Sequence, residues 1–258
     1  MDNFSNSTQV TQDYIFYQGL RLPPKNLRWG GPRYLDDEFY LKSSKDRVKL
    51  LANLCGFSKN SRVLDIGCGQ GCLLTGILSV YGEIKEYVGL DVHQASIDWT
   101  SKNLSSQSPP VSFKLLNIFN ERYNPDGEAI TKEVHFPVPE RQFDTIVLVS
   151  VFSHMRLKDI QAYLKEIERV LAVKGKVFLT LFVEHGVPEE EENPKGYYRE
   201  WSGALHCIRI NRFTFEDMVY DSGLIIDYFR YRHTNDGQSS YILSLKDDSP
   251  FQAKVFQS

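Results

Sequence analysis

Val63-Leu64-Asp65-Ile66-Gly67-Cys68-Gly69-Gln70-Gly71 decides the fold. An apolar run carries an acid near its end, three glycines follow at alternate positions, and a helix-like pattern begins at Cys72. This reads as a strand, a tight turn without room for side chains, and a helix whose start offers free N–H groups to a ligand. The acid discriminates between ligands, because a carboxylate on the loop suits a cation better than a pyrophosphate. Nicotinamide sites also space their glycines Gly-x-Gly-x-x-Gly, whereas Gly67, Gly69 and Gly71 alternate here.

Outward from this loop, strand and helix patterns alternate. Strands are expected over 62–66, 87–90, 111–116, 143–149 and 176–183, and helices over 42–55, 72–81, 94–104 and 158–171. Such alternation implies an α/β fold with a doubly wound, mostly parallel sheet, right-handed crossovers and helices on both faces. A short helix over 214–222 and strands over 223–231 and 239–245, joined by the turn-rich His233–Gly237, place an antiparallel pair at the end. Residues 1–41 read as an N-terminal arm or lid, polar and aromatic, and 42–258 as the ligand-binding α/β domain. Two long insertions interrupt the alternation. One, 118–141, contains Phe136-Pro-Val-Pro139. The other, 184–212, contains Tyr197, Tyr198, Trp201 and an acidic run at 189–192 that reads as a solvated face. Loops of this length usually wall a binding site.

The 258 residues suit one α/β domain with additions. A net charge of −3 with no basic block gives no strong nucleic-acid signal. The first residues lack the features of a signal peptide, and no apolar run reaches the roughly 20 residues of a membrane span. Cys55, Cys68, Cys72 and Cys207 fit no disulfide or zinc spacing, so the expected setting is reducing and cytoplasmic, and no metal site is expected.

Ligands of open parallel sheets lie beyond the C-terminal strand ends. The second strand ends in Asp91, 20 positions after Gly71 (91 − 71), where an acid accepts both ribose hydroxyls. Val92 follows as an apolar plate for a purine. The third ends at Asn117-Ile118, an amide for the adenine amino group and a second plate. The glycine loop resembles motif I of the class I S-adenosylmethionine-dependent methyltransferases, acid-x-Gly-x-Gly-x-Gly, with every fixed position matched over Asp65–Gly71. The resemblance extends over about residues 45–246. It implies a seven-stranded Rossmann-like sheet with its last strand inserted antiparallel. It also implies S-adenosylmethionine as cofactor and a binding set of Asp65, Gly67, Cys68, Gly69, Gly71, Asp91, Val92, Asn117, Ile118, Val149 and Ser150. Family members most often carry Asp where this chain has Asn117.

Beyond the fourth strand, Ser150-Val-Phe-Ser-His154-Met155 supplies the reaction-side candidate. His154 is the expected base, since imidazole titrates near neutrality; capping the next helix or lining the pocket is its structural role otherwise. Tyr34, Tyr197, Trp201 and His206 are candidates for the acceptor side. Tyr123-Asn-Pro-x-Gly127, Phe136-Pro137 and the segment around His154 are similar to a group of bacterial methyltransferases associated with glycan and glycolipid assembly. That likeness implies methylation of a hydroxyl on a small molecule or glycan. The alternatives are a protein or RNA acceptor, or a non-catalytic S-adenosylmethionine-binding sensor.

Overall fold

The computed structural model describes residues 13–130 and 133–246. Parts of the expected arm (1–12), of the first insertion (131–132) and of the tail (247–258) lie outside the described residues. The chain begins with a small hairpin, β1 (Ile15–Tyr17) and β2 (Leu20–Leu22), followed by two short 3-10 turns and α1 (Asp37–Cys55). The α/β alternation runs β3 (Arg62–Ile66), α2 (Cys72–Tyr81), β4 (Glu86–Asp91), α3 (Gln94–Leu104), β5 (Ser106–Gln107), β6 (Pro110–Leu115), β7 (Phe143–Leu148), α4 (Leu157–Val170) and β8 (Leu171–Glu184). The second insertion contributes β9 (Glu190–Glu192) and β10 (Ile208–Asn211), and α5 (Arg212–Asp221), β11 (Leu224–Arg230) and β12 (Ser239–Leu245) complete the fold.

The main sheet runs β11-β12-β8-β7-β3-β4-β6-β5. Strands β6, β4, β3, β7 and β8 are parallel, whereas β12 enters antiparallel between β8 and β11. The chain therefore winds outward from β3 to β6 and returns to β7 on the other side, so β3 and β7 flank the switch point where such sheets bind ligands. The expected mostly parallel doubly wound sheet, with its antiparallel closing strand, is what forms.

Strand β3 is buried on both faces, as a central parallel strand must be. Val63 packs with Leu51, Leu73 and Tyr87 on the α1–α2–α3 side, while Leu64 and Ile66 join Phe152, Ile160 and Leu164 on the α4–α5 side. The period of two puts Asp65 on the same side as Val63. There its Oδ2 accepts from the Tyr87 hydroxyl at 2.6 Å.

Three segments differ from the sequence reading. Helix α1 starts five residues before the expected position 42, because Asp36 caps it through the Phe39 N–H (2.7 Å), and its buried stripe from Tyr40 and Leu41 passes through the polar Ser44 before reaching Val48. The 189–192 run is not a solvated face. It forms β9, with Glu190 and Glu192 bonded to Arg156 and Glu191 to Arg209. Phe136-Pro-Val-Pro139 is more than a loop: Phe136 and Val138 are buried against α4, where Glu166 accepts the Phe136 N–H at 2.7 Å.

Gly76 lets α1 and α2 meet backbone to backbone. A Cβ there would lie 2.3 Å from the Ser44 carbonyl oxygen and 3.0 Å from Val48. Gly76→Ala is therefore expected to destabilise the fold by about 1–3 kcal/mol through overpacking, read as a lowered urea midpoint; an unchanged midpoint would show that the helices separate freely.

Candidate active site at the C-terminal edge of the sheet

The glycine loop hangs from the end of the neighbouring strand. The Leu90 carbonyl accepts the N–H groups of Gly67 (2.7 Å) and Cys68 (3.1 Å), and Asp91 Oδ2 accepts that of Gly69 (2.7 Å). Asp91 Oδ1 takes the His93 N–H at 2.8 Å. Gly67, Gly69 and Gly71 all adopt left-handed φ, and a Cβ on Gly67 would lie 2.4 Å from Val151. No side chain caps α2, so its first N–H groups are available near the loop.

Above these strand ends opens a cavity of about 900 Å³. Gly67, Cys68, Gly69, Asp91, Val92, Ile118, Val149, Ser150 and His154 from the expected set all line it. Three expected residues do not. Asp65 points into the α1–α2 layer, where burial pushes its carboxyl up to about 7 against the lowering effects of Tyr87 and Arg47. Gly71 lies behind the turn, where a Cβ would meet Leu104 at 2.7 Å. Asn117 is exposed beside a second, smaller hollow, and its amide is engaged by Glu128 (3.3 Å) and Asn124 (3.5 Å) of the first insertion. Held in this way, the amide lies outside the lining of the larger cavity.

Ser150 sits at φ +58°, an uncommon conformation for a residue with a side chain. A buried polar network holds it there: Thr180 Oγ1 accepts the Ser150 N–H (2.9 Å) and donates to Gln238 Oε1 (3.0 Å), while Gln238 Nε2 donates to Ser150 Oγ (2.8 Å). His154 ends a 3-10 turn after β7, and its Nδ1 lies 2.8 Å from the Leu205 carbonyl. A carbonyl only accepts, so Nδ1 carries the proton and the Nε2 lone pair is left without a partner among the described residues. Burial, partly offset by that carbonyl, lowers the imidazole to about 4, so it is neutral at physiological pH.

Residues 64–177 match the family model described as a methyltransferase domain. That match covers 114 of the 258 residues (177 − 64 + 1) and runs from β3 into β8. Over 151 residues it is 29% identical to the Homo sapiens U6 snRNA (guanine-N(2))-methyltransferase THUMPD2; the match spans 57% of this chain but only 27% of that protein. An S-adenosylmethionine-dependent methyltransferase from Clostridium acetobutylicum superposes with a TM-score of 0.54 at 13% identity, covering 80% of this chain and 92% of that one. Coclaurine N-methyltransferase bound to N-methylheliamine and SAH gives 0.52 at 18%, covering 74% and 50%. At these identities the structural likeness is one of fold.

The donor set of the cavity fits S-adenosylmethionine. Each Asp91 oxygen accepts one backbone bond and keeps a second acceptor site for a ribose hydroxyl. Val92 and Ile118 are partly buried aliphatic plates. Arg47, on α1, lines the cavity without an ion-pair partner among the described residues, near the start of α2, and suits a carboxylate. Sequence reading missed Arg47, whose position on a helix far from the glycine loop carries no motif. It missed Gln238 for the same reason. Trp29, noted only as an arm aromatic, packs edge-on against His93 (5.4 Å) and Tyr123 (5.5 Å) and borders Gly69.

Asp91→Ala is expected to weaken S-adenosylhomocysteine binding by about 1–3 kcal/mol in calorimetry; unchanged affinity would remove Asp91 from the site. Asp65 yields a separate test. Its carboxyl is higher in the folded than in the unfolded chain, so its contribution to stability is complete at low pH and declines as pH rises from 3.8 through about 7. Asp65→Asn, which keeps an acceptor for Tyr87, should abolish that decline in melting temperature measured across this range.

Proposed function

We propose that the protein transfers a methyl group from S-adenosylmethionine to a hydroxyl of a small molecule or glycan, with His154 as the proton acceptor. When bound, the cofactor supplies a methyl group on a sulfonium leaving group, so the chain's own task is positioning plus removal of one proton. The observation that carries this reading is the His154 imidazole, which lines the same cavity as the glycine loop and Asp91 and is fixed by Leu205 in the tautomer whose Nε2 accepts. Burial takes the imidazole below the near-neutral value that the sequence suggested and lowers its basicity, so its role is to accept the proton as the methyl group transfers.

The arm and both insertions wall the cavity, through Trp29 and Tyr34, Arg122 and Tyr123, and Arg199, Trp201 and His206. Enclosure from three directions supports a small acceptor. An RNA acceptor is supported by the human relative alone. The sequence likeness to glycan-associated enzymes supports a hydroxyl.

Nuclear magnetic resonance titration of labelled histidine should place His154 at about 4, with His154→Gln assigning the signal; a midpoint near the ordinary 6.5 would refute the buried neutral imidazole. His154→Ala should lower turnover by about 10²-fold or more while S-adenosylhomocysteine affinity stays within about threefold. Retained turnover would exclude His154 as the base. Cofactor binding without turnover on any hydroxylated acceptor would favour the sensor alternative.

A further inference from the structure

The acceptor side of the cavity is cationic in a way that the protein itself does not neutralise. Eight arginines (Arg28, Arg62, Arg141, Arg156, Arg169, Arg209, Arg212 and Arg232) pair with carboxylates. Arg122 and Arg199, both lining the cavity, pair with none among the described residues. Arg122 is half-buried. One of its terminal nitrogens reaches the Ala204 carbonyl at 3.3 Å, and its Nε is buried with no hydrogen-bond partner. A guanidinium N–H left in that state is costly unless something else accepts from it.

The two arginines belong to one cluster. Arg122 lies 5.5 Å from the Tyr123 ring, which meets His154 edge-on at 5.6 Å. Arg199 lies 4.1 Å over Trp201, which meets His206 edge-on at 5.1 Å. The backbone at Ala204–Leu205 ties the halves together, accepting from Arg122 and from His154. Charge from Arg122 and Arg199 helps to hold His206 below its ordinary value, with burial the larger cause. Asp236 of the cavity wall accepts from Thr234 and, at 2.8 Å, from Gln238, and makes no ion pair with either arginine.

We propose that the acceptor is itself an anion. Its carboxylate or phosphate is received by Arg122 and Arg199, its body packs on Trp201, and its hydroxyl faces His154 Nε2. Arg122 and Arg199 are then specificity residues, and their charges gain a carboxylate or phosphate partner only when the acceptor is present. The proposal rests on the reading of this cavity as a methyl-transfer site.

The test uses the full chain with S-adenosylhomocysteine present and reads binding of matched probes by calorimetry: 4-hydroxybenzoate, its neutral analogue 4-hydroxybenzamide, and phenyl phosphate. The acids should bind at least about tenfold more tightly than the amide, with the stronger of the two identifying the anion. R199Q, at an exposed position, and R122Q should each reduce the preference to about threefold or less. R122K, which keeps the charge and the contact with Ala204, should retain part of it and guards against misfolding of R122Q. Equal binding of acid and amide, preference persisting in R122Q/R199Q, or no acid binding at millimolar concentration overturns the proposal. Tighter binding of a single-stranded oligoribonucleotide, lost in the same variants, also overturns it by assigning the arginines to nucleic acid. The affinity of S-adenosylhomocysteine, measured separately on the unaltered protein, tests the methyl-transfer reading: its loss there fails that reading, whereas its presence without acid preference fails only this one.

Discussion

The hydrogen bond from the Gly69 N–H to Asp91 Oδ2 joins the two strand ends on which the site depends. A glycine-rich turn has many conformations to lose. Here three backbone N–H groups are given fixed acceptors on one neighbouring strand, two on Leu90 and one on Asp91. The same carboxylate holds the start of the next connection through the His93 N–H. Parallel pairing of β3 with β4 brings Asp65 level with Gly89 and Ile66 with Leu90, which sets the height at which the loop meets the acid. Loop shape, helix start and the Asp91 carboxylate are thus fixed together.

That arrangement explains which parts of the site were legible in the sequence. Features set by local rules were readable: alternation marks strands, glycine spacing marks the turn, and the acid 20 positions beyond Gly71 marks the second strand end. The side to which a residue faces is set by strand parity, and that separates Asp65 from the cavity although it belongs to the same motif. Asn117 is diverted by Glu128 and Asn124, partners contributed by an insertion whose path no local pattern specifies. Arg47 and Gln238 enter from a helix and a turn remote in sequence, and only the assembled sheet brings them to the cavity.

The polar groups of the site fall into two electrostatic regimes. Beneath the loop, Asp65 and Tyr87 share a hydrogen bond in a layer of apolar side chains, and burial favours their protonated forms. At the acceptor side, burial acts on His154 in the opposite sense and removes its charge. Desolvation therefore keeps both the acid below and the imidazole above closer to neutral than in water, and leaves Arg122 and Arg199 as charged groups beside that imidazole.

Trp29 and Gln238 line the same cavity although 209 positions separate them (238 − 29). The hairpin that carries Gln238 also inserts β12 between β8 and β11. During synthesis the glycine loop and Asp91 emerge well before the wall that fixes Ser150. The cavity is consequently finished only when the β11–β12 hairpin closes, so a chain made only as far as β8 presents the loop without the complete cavity.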